Sequence, residues 1–297
     1  MPELPDVVVY LEALERRIVD RPVQSVRIAG ISLLQTYDPP IEAIVGRRVV
    51  GLARLGKRLV WRLEGELYLV IHLMIAGRLH WRDKPGVKPP AKVGLAAFGF
   101  EHGTLLLNEA ATKKRARLWL LDGPAALAEQ DRGGAEPLEM GLDEFAARLR
   151  SRNRTLKRAL TDPTAFSGIG NAYSDEILVH AQLSPLARTG QLTDEEMARL
   201  HRVTQATLRE WTERLRAEVG DGFPEKVTAF RPDMVVHGKY KQPCSICGAP
   251  VQRIAYAENE VNYCARCQTG GKLLADRSLS RLLKDDWPKT VEELMAE

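Results

Sequence analysis

Apolar side chains at Val7, Tyr10, Leu11, Leu14 and Ile18 recur every three or four positions, which predicts an opening amphipathic helix ending near Asp20-Arg21-Pro22. Asp6 stands where a helix N-cap is expected. Beyond Pro22 the pattern changes to short stretches rich in Val, Leu, Ile and Trp, punctuated by glycine, at 23–29, 49–52, 58–63, 67–73 and 78–82. A hairpin follows, 93–100 and 104–107 around Glu101-His102-Gly103, and then a short strand at 117–121. Many short strands at this spacing predict a sandwich or barrel. Residues 123–141, rich in Gly, Pro, Ala and acids, read as a linker. From Leu142 the spacing is helical again, over 142–149, 155–160 and a long stretch at 192–219. The chain is therefore expected to be an α+β multidomain protein. Its parts are an N-terminal β domain at 1–122, the linker, a helical domain at 142–240, a cysteine-bearing module at 241–270 and an extension at 271–297. In that extension Leu273, Leu274, Leu279, Leu282 and Leu283 suggest a helix stopped at Trp287-Pro288, packed on the module or the body.

The composition, 297 residues with 44% hydrophobic and 28% charged, is that of a globular chain and excludes a disordered one. A net charge of +4 permits a polyanionic partner without requiring it. No basic-then-apolar signal pattern and no bilayer-length apolar run is present, so the expectation is a cytoplasmic protein without membrane contact. In that compartment four cysteines point to metal rather than disulfides. Cys244-x2-Cys247, sixteen residues, then Cys264-x2-Cys267 is a zinc-ribbon spacing. Four thiolates fill a tetrahedral site and leave no place for water, so one structural Zn2+ is expected.

The remaining candidates are weaker taken singly. Pro2 follows the initiator methionine, whose removal would leave a secondary amine able to form an iminium with an aldehyde-level carbon. Glu3 would sit beside it as a proton carrier, although a bare N-terminus is commonly frayed and inert. Lys57 follows Gly56 at a strand start, a place suited to a phosphate contact. Met74 falls in a turn, Met74-Ile75-Ala76-Gly77, that interrupts an apolar strand. Lys113, Lys114, Arg115 and Arg117 form either a solvated face or a nucleic-acid contact. Gly168-Ile169-Gly170-Asn171 at the mouth of a helix suits an anion-holding turn or a plain corner between helices. Residues 220–240 carry Phe223, Lys226, Phe230, Arg231, His237 and Lys239, a mix suited to stacking and phosphate contact or to an ordered connector.

Together these pieces resemble the formamidopyrimidine-DNA glycosylase and endonuclease VIII (Fpg/Nei) family of base-excision repair enzymes. Pro2-Glu3-Leu4-Pro5, Gly56-Lys57, the Gly168-Ile169-Gly170-Asn171 turn running into Tyr173-Ser174-Asp175-Glu176, and the four-cysteine finger occur in family order over residues 2–267. The resemblance implies a helix on a β-sandwich, a helix-two-turn-helix domain and a zinc finger, acting as a monomer with damaged DNA in the cleft between the halves. It implies a bifunctional DNA glycosylase and abasic-site lyase with Pro2 as nucleophile and Glu3 as proton carrier. Lys57 and Asn171 match residues that hold phosphates beside the lesion, Met74 one that fills the hole left by a flipped base, and Lys157 a lysine on the approach to the turn.

Four departures qualify the resemblance. Asn259, between two glutamates, stands where the family's finger arginine grips DNA, leaving Arg253 or Lys241 to compensate. The cluster at 113–117 lacks the phenylalanine wedge of the oxidised-purine enzymes. Residues 220–240 do not match the usual base-capping loop, and thirty residues follow Cys267. A non-catalytic binder of damaged DNA on the same scaffold is the alternative reading; intact Pro2 and Glu3 speak against it.

Overall fold

The computed structural model describes residues 1–256, 259–275 and 288–296. The chain divides into two compact units: Met1–Gly133 with Glu210–Thr228, and Gly134–Arg209 with Ala229–Glu297. The first boundary thus lies inside the stretch expected as a linker, and residues 210–228 belong with the N-terminal residues.

In the first unit, α1 (Leu4–Ile18) begins where the Asp6 carboxylate accepts the Glu3 N–H at 2.9 Å, satisfying a donor the helix itself cannot. Its apolar stripe, Val7, Tyr10, Leu14 and Ile18, is fully buried, each side chain contributing about 2 kcal/mol of transfer free energy. The stripe packs into a core shared by two four-stranded antiparallel sheets. The strands are β1 (Ser25–Ile28), β2 (Val49–Leu55), β3 (Arg58–Leu63), β4 (Leu67–His72), β5 (Gly77–Arg82), β6 (Gly94–Phe100), β7 (Gly103–Glu109) and β8 (Arg117–Asp122). One sheet has the order β1-β6-β7-β5 and the other β2-β3-β4-β8. Trp61 of β3 meets Phe98 of β6 edge-on at 5.2 Å, which fixes the sheets face to face. Strands β3 and β4 are buried on both faces, because Val60 and Val70 pack under Ala126 and Leu127 of α2 (Gly123–Ala128). That helix occupies the expected linker. Gly-Pro-Ala-Ala hides it, because proline at the first turn and glycine just before it are helix-start features that also mark loops.

The second unit holds α3 (Leu142–Arg150), α4 (Leu156–Leu160), α5 (Asn171–His180) and the first part of α6 (Asp194–Val219). A hairpin of β9 (Gln252–Tyr256) and β10 (Asn259–Tyr263) follows, then α7 (Ala265–Thr269) and α8 (Val291–Ala296). A second apolar core gathers Ile254, Val261, Tyr263 and the finger cysteines with Val235, Val236, Leu273 and Val291. The Val291 N–H donates to Gly271 O at 2.8 Å and Leu273 N–H to Lys289 O at 2.8 Å, so the extension returns to pack on the finger. Leu279, Leu282, Leu283 and Trp287 lie outside the described residues. Among the described residues no helix is long and apolar enough to cross a membrane.

Candidate active site and nucleic-acid surfaces

Pro2 is buried and Glu3 only 2% exposed, so the start of the chain is built into the fold rather than frayed. The Val7 N–H donates to Glu3 O at 2.9 Å, the first bond of α1. Burial holds the Met1 amino group below its ordinary 8.0; Glu3 and Asp6 oppose this, while Arg78 and Lys57 add to it. An amine here is therefore less protonated than a solvated one.

Lys57 shares with Gly56 the two-residue loop between β2 and β3, and the tip is held by Arg54 Nη1 donating to Gly56 O at 2.6 Å. The register sets Arg58 opposite His72, and His72 opposite Arg117, at one end of the second sheet. Burial, reinforced by the charges of Arg58, Lys57, Arg117 and Arg132, drives His72 down to about 4, leaving a neutral imidazole among cations. Sequence reasoning missed His72; the register that places it beside two arginines is invisible to periodicity.

The β4–β5 turn closes with the Gly77 N–H on Leu73 O at 2.9 Å. A Cβ at Gly77 would lie 2.3 Å from that oxygen, so only glycine fits there. Met74 has φ +51 and is half-buried, whereas Ile75 at the tip is 52% exposed. The apolar side chain standing clear of this turn is Ile75. In the 113–117 cluster Lys113 and Arg117 are exposed and Lys114 and Arg115 half-buried. The loop is folded over the buried carboxylate of Glu109, which accepts the N–H groups of Arg115 and Ala116 at 2.8 and 3.0 Å.

In the second unit Asn171 is the first residue of α5, half-buried, behind a turn whose Gly168, Ile169 and Gly170 are buried. Lys157 is 6% exposed and its ammonium is used internally, donating to Asn171 O at 2.6 Å and to Asp175 Oδ1 at 2.5 Å. It braces the turn rather than reaching outward. The Asp175 carboxylate also accepts from His237 Nδ1 at 2.8 Å and from the Asn262 N–H at 3.3 Å. Beside it Glu176, fully buried, accepts the N–H groups of Val235, Val236 and His237 at 2.8, 3.0 and 3.0 Å. Two adjacent acids of one helix thus tie α4, the segment 235–237 and the finger hairpin together, satisfying buried donors that would otherwise each cost about 1–3 kcal/mol.

The Sγ atoms of Cys244, Cys247, Cys264 and Cys267 lie within 4.8 Å of one another, and none is in a disulfide. Four sulfurs at about 2.3 Å from a tetrahedral ion sit about 3.8 Å apart, so the cluster fits a metal. Burial pushes the Cys264 thiol up to about 11, a preference that a bound dication reverses. Asn259 pairs with Tyr256 at the end of the hairpin, next to residues outside the description. Arg253 stacks its guanidinium over Tyr240 at 4.4 Å, and Lys241 Nζ lies 5.6 Å from the same ring.

Comparison with known proteins agrees with both units. The family model described as "Formamidopyrimidine-DNA glycosylase N-terminal domain" matches residues 1–116, and "Formamidopyrimidine-DNA glycosylase H2TH domain" matches residues 134–219. A formamidopyrimidine-DNA glycosylase of Heliobacterium modesticaldum is 32% identical over 281 residues, covering 90% of this chain and all of the relative. An uncharacterized formamidopyrimidine-DNA glycosylase-like protein of Mycobacterium tuberculosis is 38% identical over 151 residues, 51% of this chain and 94% of the relative. Among solved structures, the Lactococcus lactis Fpg in complex with DNA containing an abasic site is 25% identical with a TM-score of 0.78, covering 90% of this chain and 99% of that one. MutM in complex with DNA containing carbocyclic 8-oxo-G is likewise 25% identical at a TM-score of 0.78, covering 90% of this chain and all of the other. The chain belongs to the Fpg/Nei family of DNA repair glycosylases.

Proposed function

We propose that this protein removes oxidised or ring-opened bases from DNA and cleaves the strand at the resulting abasic site. The observation that carries the reading is the buried start of α1, where Pro2 and the adjacent Glu3 carboxyl are both buried. Removal of Met1 would make the Pro2 nitrogen the terminal amine. It would attack C1′ of an extruded nucleotide; as this C–N bond forms, the C1′–O4′ bond breaks with Glu3 protonating O4′, and the base then leaves with the electrons of the glycosidic bond and the proton given up by the amine, which yields the iminium. The iminium then acidifies the C2′ proton. Loss of that proton expels the 3′ phosphate, and hydrolysis of the iminium returns the amine.

Lys57, Lys113, Arg115 and Asn171 serve as phosphate contacts that position the strand without reading its sequence. Lys114 adds charge to the same loop, and Lys157 acts through Asn171. Ile75, together with Met74, offers the apolar volume that would fill the hole left by the flipped base. The four cysteines hold one Zn2+ that stabilises the finger and takes no part in the chemistry. Asn259 brings no charge to the finger tip, and Arg253 and Lys241 are the cations that would replace it. A non-catalytic DNA binder is not favoured, since such a protein has no use for a buried amine and carboxyl at its first turn. The test is borohydride trapping on an oligonucleotide with one abasic site. A covalent adduct is expected, and its absence from protein shown by mass spectrometry to start at Pro2 would overturn the reading.

A further inference from the structure

The β4–β5 turn that presents Ile75 is gripped by one side chain from outside. Arg78, the second residue of β5, donates from Nη1 to Ile75 O at 3.2 Å and to Gly77 O at 2.7 Å. From Nε it donates to Val227 O at 2.5 Å. A single planar guanidinium thus holds the carbonyls on either side of Ala76 and joins them to a segment 149 residues further along the chain.

That segment is itself anchored. Val227 is 7% exposed and shares the core of the first unit with Val7, Tyr10 and Leu79. Two residues before it, Glu225 accepts the Trp81 N–H at 3.3 Å and Arg82 Nη1 at 3.1 Å, and meets His80 Nδ1 at 2.5 Å. Alternate residues of a strand share a face, so Arg78, His80 and Arg82 form one row along β5, and all three hold 225–227. The Leu79 N–H donates to Tyr10 Oη at 3.4 Å, tying the same strand to α1, and the charge of Arg78 reaches the amino group of Met1.

A tip that enters a base stack must keep its shape against the DNA. Met74 stands at φ +51, a conformation unfavourable for a residue with a side chain and kept only where its surroundings determine it. The Gly77 N–H bond to Leu73 O closes the turn from within, and Arg78 constrains it from without. We infer that Arg78 is a positioning residue for the reaction on duplex DNA, holding the Ile75 tip in the shape that fills the hole left by an extruded nucleotide. This rests on the proposed function, in which Ile75 with Met74 fills that hole. The fork is what calls for arginine: Nε and Nη1 serve carbonyls of two different segments, whereas a lysine ammonium carries the charge without that geometry.

The experiment measures single-turnover excision by the full chain of one ring-opened guanine, placed in duplex and in single strand. The proteins are wild type, Ile75→Ala, Arg78→Ala, Arg78→Lys and the double variant Ile75→Ala/Arg78→Ala. A single strand leaves no hole to fill, so the duplex-to-single-strand rate ratio separates the tip from general damage to the fold. Ile75→Ala and Arg78→Ala are each expected to lower that ratio about tenfold, and the double variant no further than Ile75→Ala alone, since a residue that acts through another is not additive with it. Arg78→Lys should recover little of the ratio. Equal losses on both DNAs, additive losses in the double variant, or full recovery by lysine would each refute the positioning role. Full recovery together with a salt slope lower by about 0.9 in Arg78→Ala would mark a phosphate contact instead. If Ile75→Ala lowers the ratio and Arg78→Ala does not, the inference fails while the proposed function stands. An unchanged ratio for Ile75→Ala overturns the hole-filling assignment and the role of Arg78 with it. A wild type that neither excises the base nor is trapped on abasic DNA overturns the proposed function itself.

Discussion

Glu176→Gln tests how the second unit is held together. The carboxylate is fully buried and its two oxygens take three backbone hydrogen bonds, from Val235 at 2.8 Å and from Val236 and His237 at 3.0 Å. A carboxylate hydrogen bond contributes about 1.5–3 kcal/mol and a neutral one about 1 kcal/mol. Glutamine retains one carbonyl oxygen, which keeps the Val236 and His237 bonds in weakened form. Its amide group then faces the Val235 N–H, donor against donor, leaving both unsatisfied. Roughly 1 kcal/mol lost from each weakened bond, and more from the unsatisfied pair, puts the cost at about 3 kcal/mol. Because the two units need not unfold together, the assay is native-state hydrogen exchange. Protection of amides 235–237 should fall by about a hundredfold, since 1.4 kcal/mol is a factor of ten. Amides in β3 and β4, held by the other core, should keep theirs. A fall of less than about fivefold at 235–237 would refute this account of the anchor.

Further outcomes follow from the site geometry. Lys57→Ala should lower the salt slope of duplex DNA binding by about 0.9, one phosphate contact, whereas His72→Asn should leave it unchanged at pH 7 because that imidazole is neutral; equal slopes for wild type and Lys57→Ala would remove Lys57 from the phosphate contacts. His72, held at about 4 against an ordinary 6.5, binds a proton more readily in the unfolded chain. Stability should therefore be fully present above about pH 6.5 and fall by at most about 3 kcal/mol as the pH drops towards 4, a loss that His72→Asn should largely remove; a native-state NMR titration midpoint near 6.5 would contradict this. Elemental analysis should find one zinc per chain, and Cys264→Ser should lower both metal content and DNA affinity, because a structural site contributes folding free energy; metal-free protein with an intact finger would contradict it.

The strands were legible because β-rich runs separated by glycine map directly onto hydrogen-bonded ladders, and β3 at Arg58–Leu63 is met to the residue. The cysteine cluster was legible because two Cys-x2-Cys knuckles leave little choice of geometry. Other features depend on tertiary placement. Lys157 carries no mark in the sequence that its charge is buried against Asp175, and an exposed reading is the default for any lysine. Met74 was marked by the turn that interrupts an apolar strand, whereas its φ of +51 and the exposure of Ile75 beside it carry no sequence signal. The return of residues 288–296 to the finger depends on Leu273 and Val291 meeting across a gap in sequence, which no local pattern encodes.

Covalent trapping tests the central claim most directly. Wild-type protein verified to begin at Pro2, Pro2→Gly protein and protein retaining Met1 should be incubated with the same abasic oligonucleotide and borohydride. The account predicts a one-to-one adduct with wild type whose tryptic fragment carries the sugar on the Pro2 nitrogen. Loss of the adduct is expected for the other two proteins, with binding retained. An adduct of equal yield with Pro2→Gly, or one mapped to a lysine, would contradict the assignment of the nucleophile.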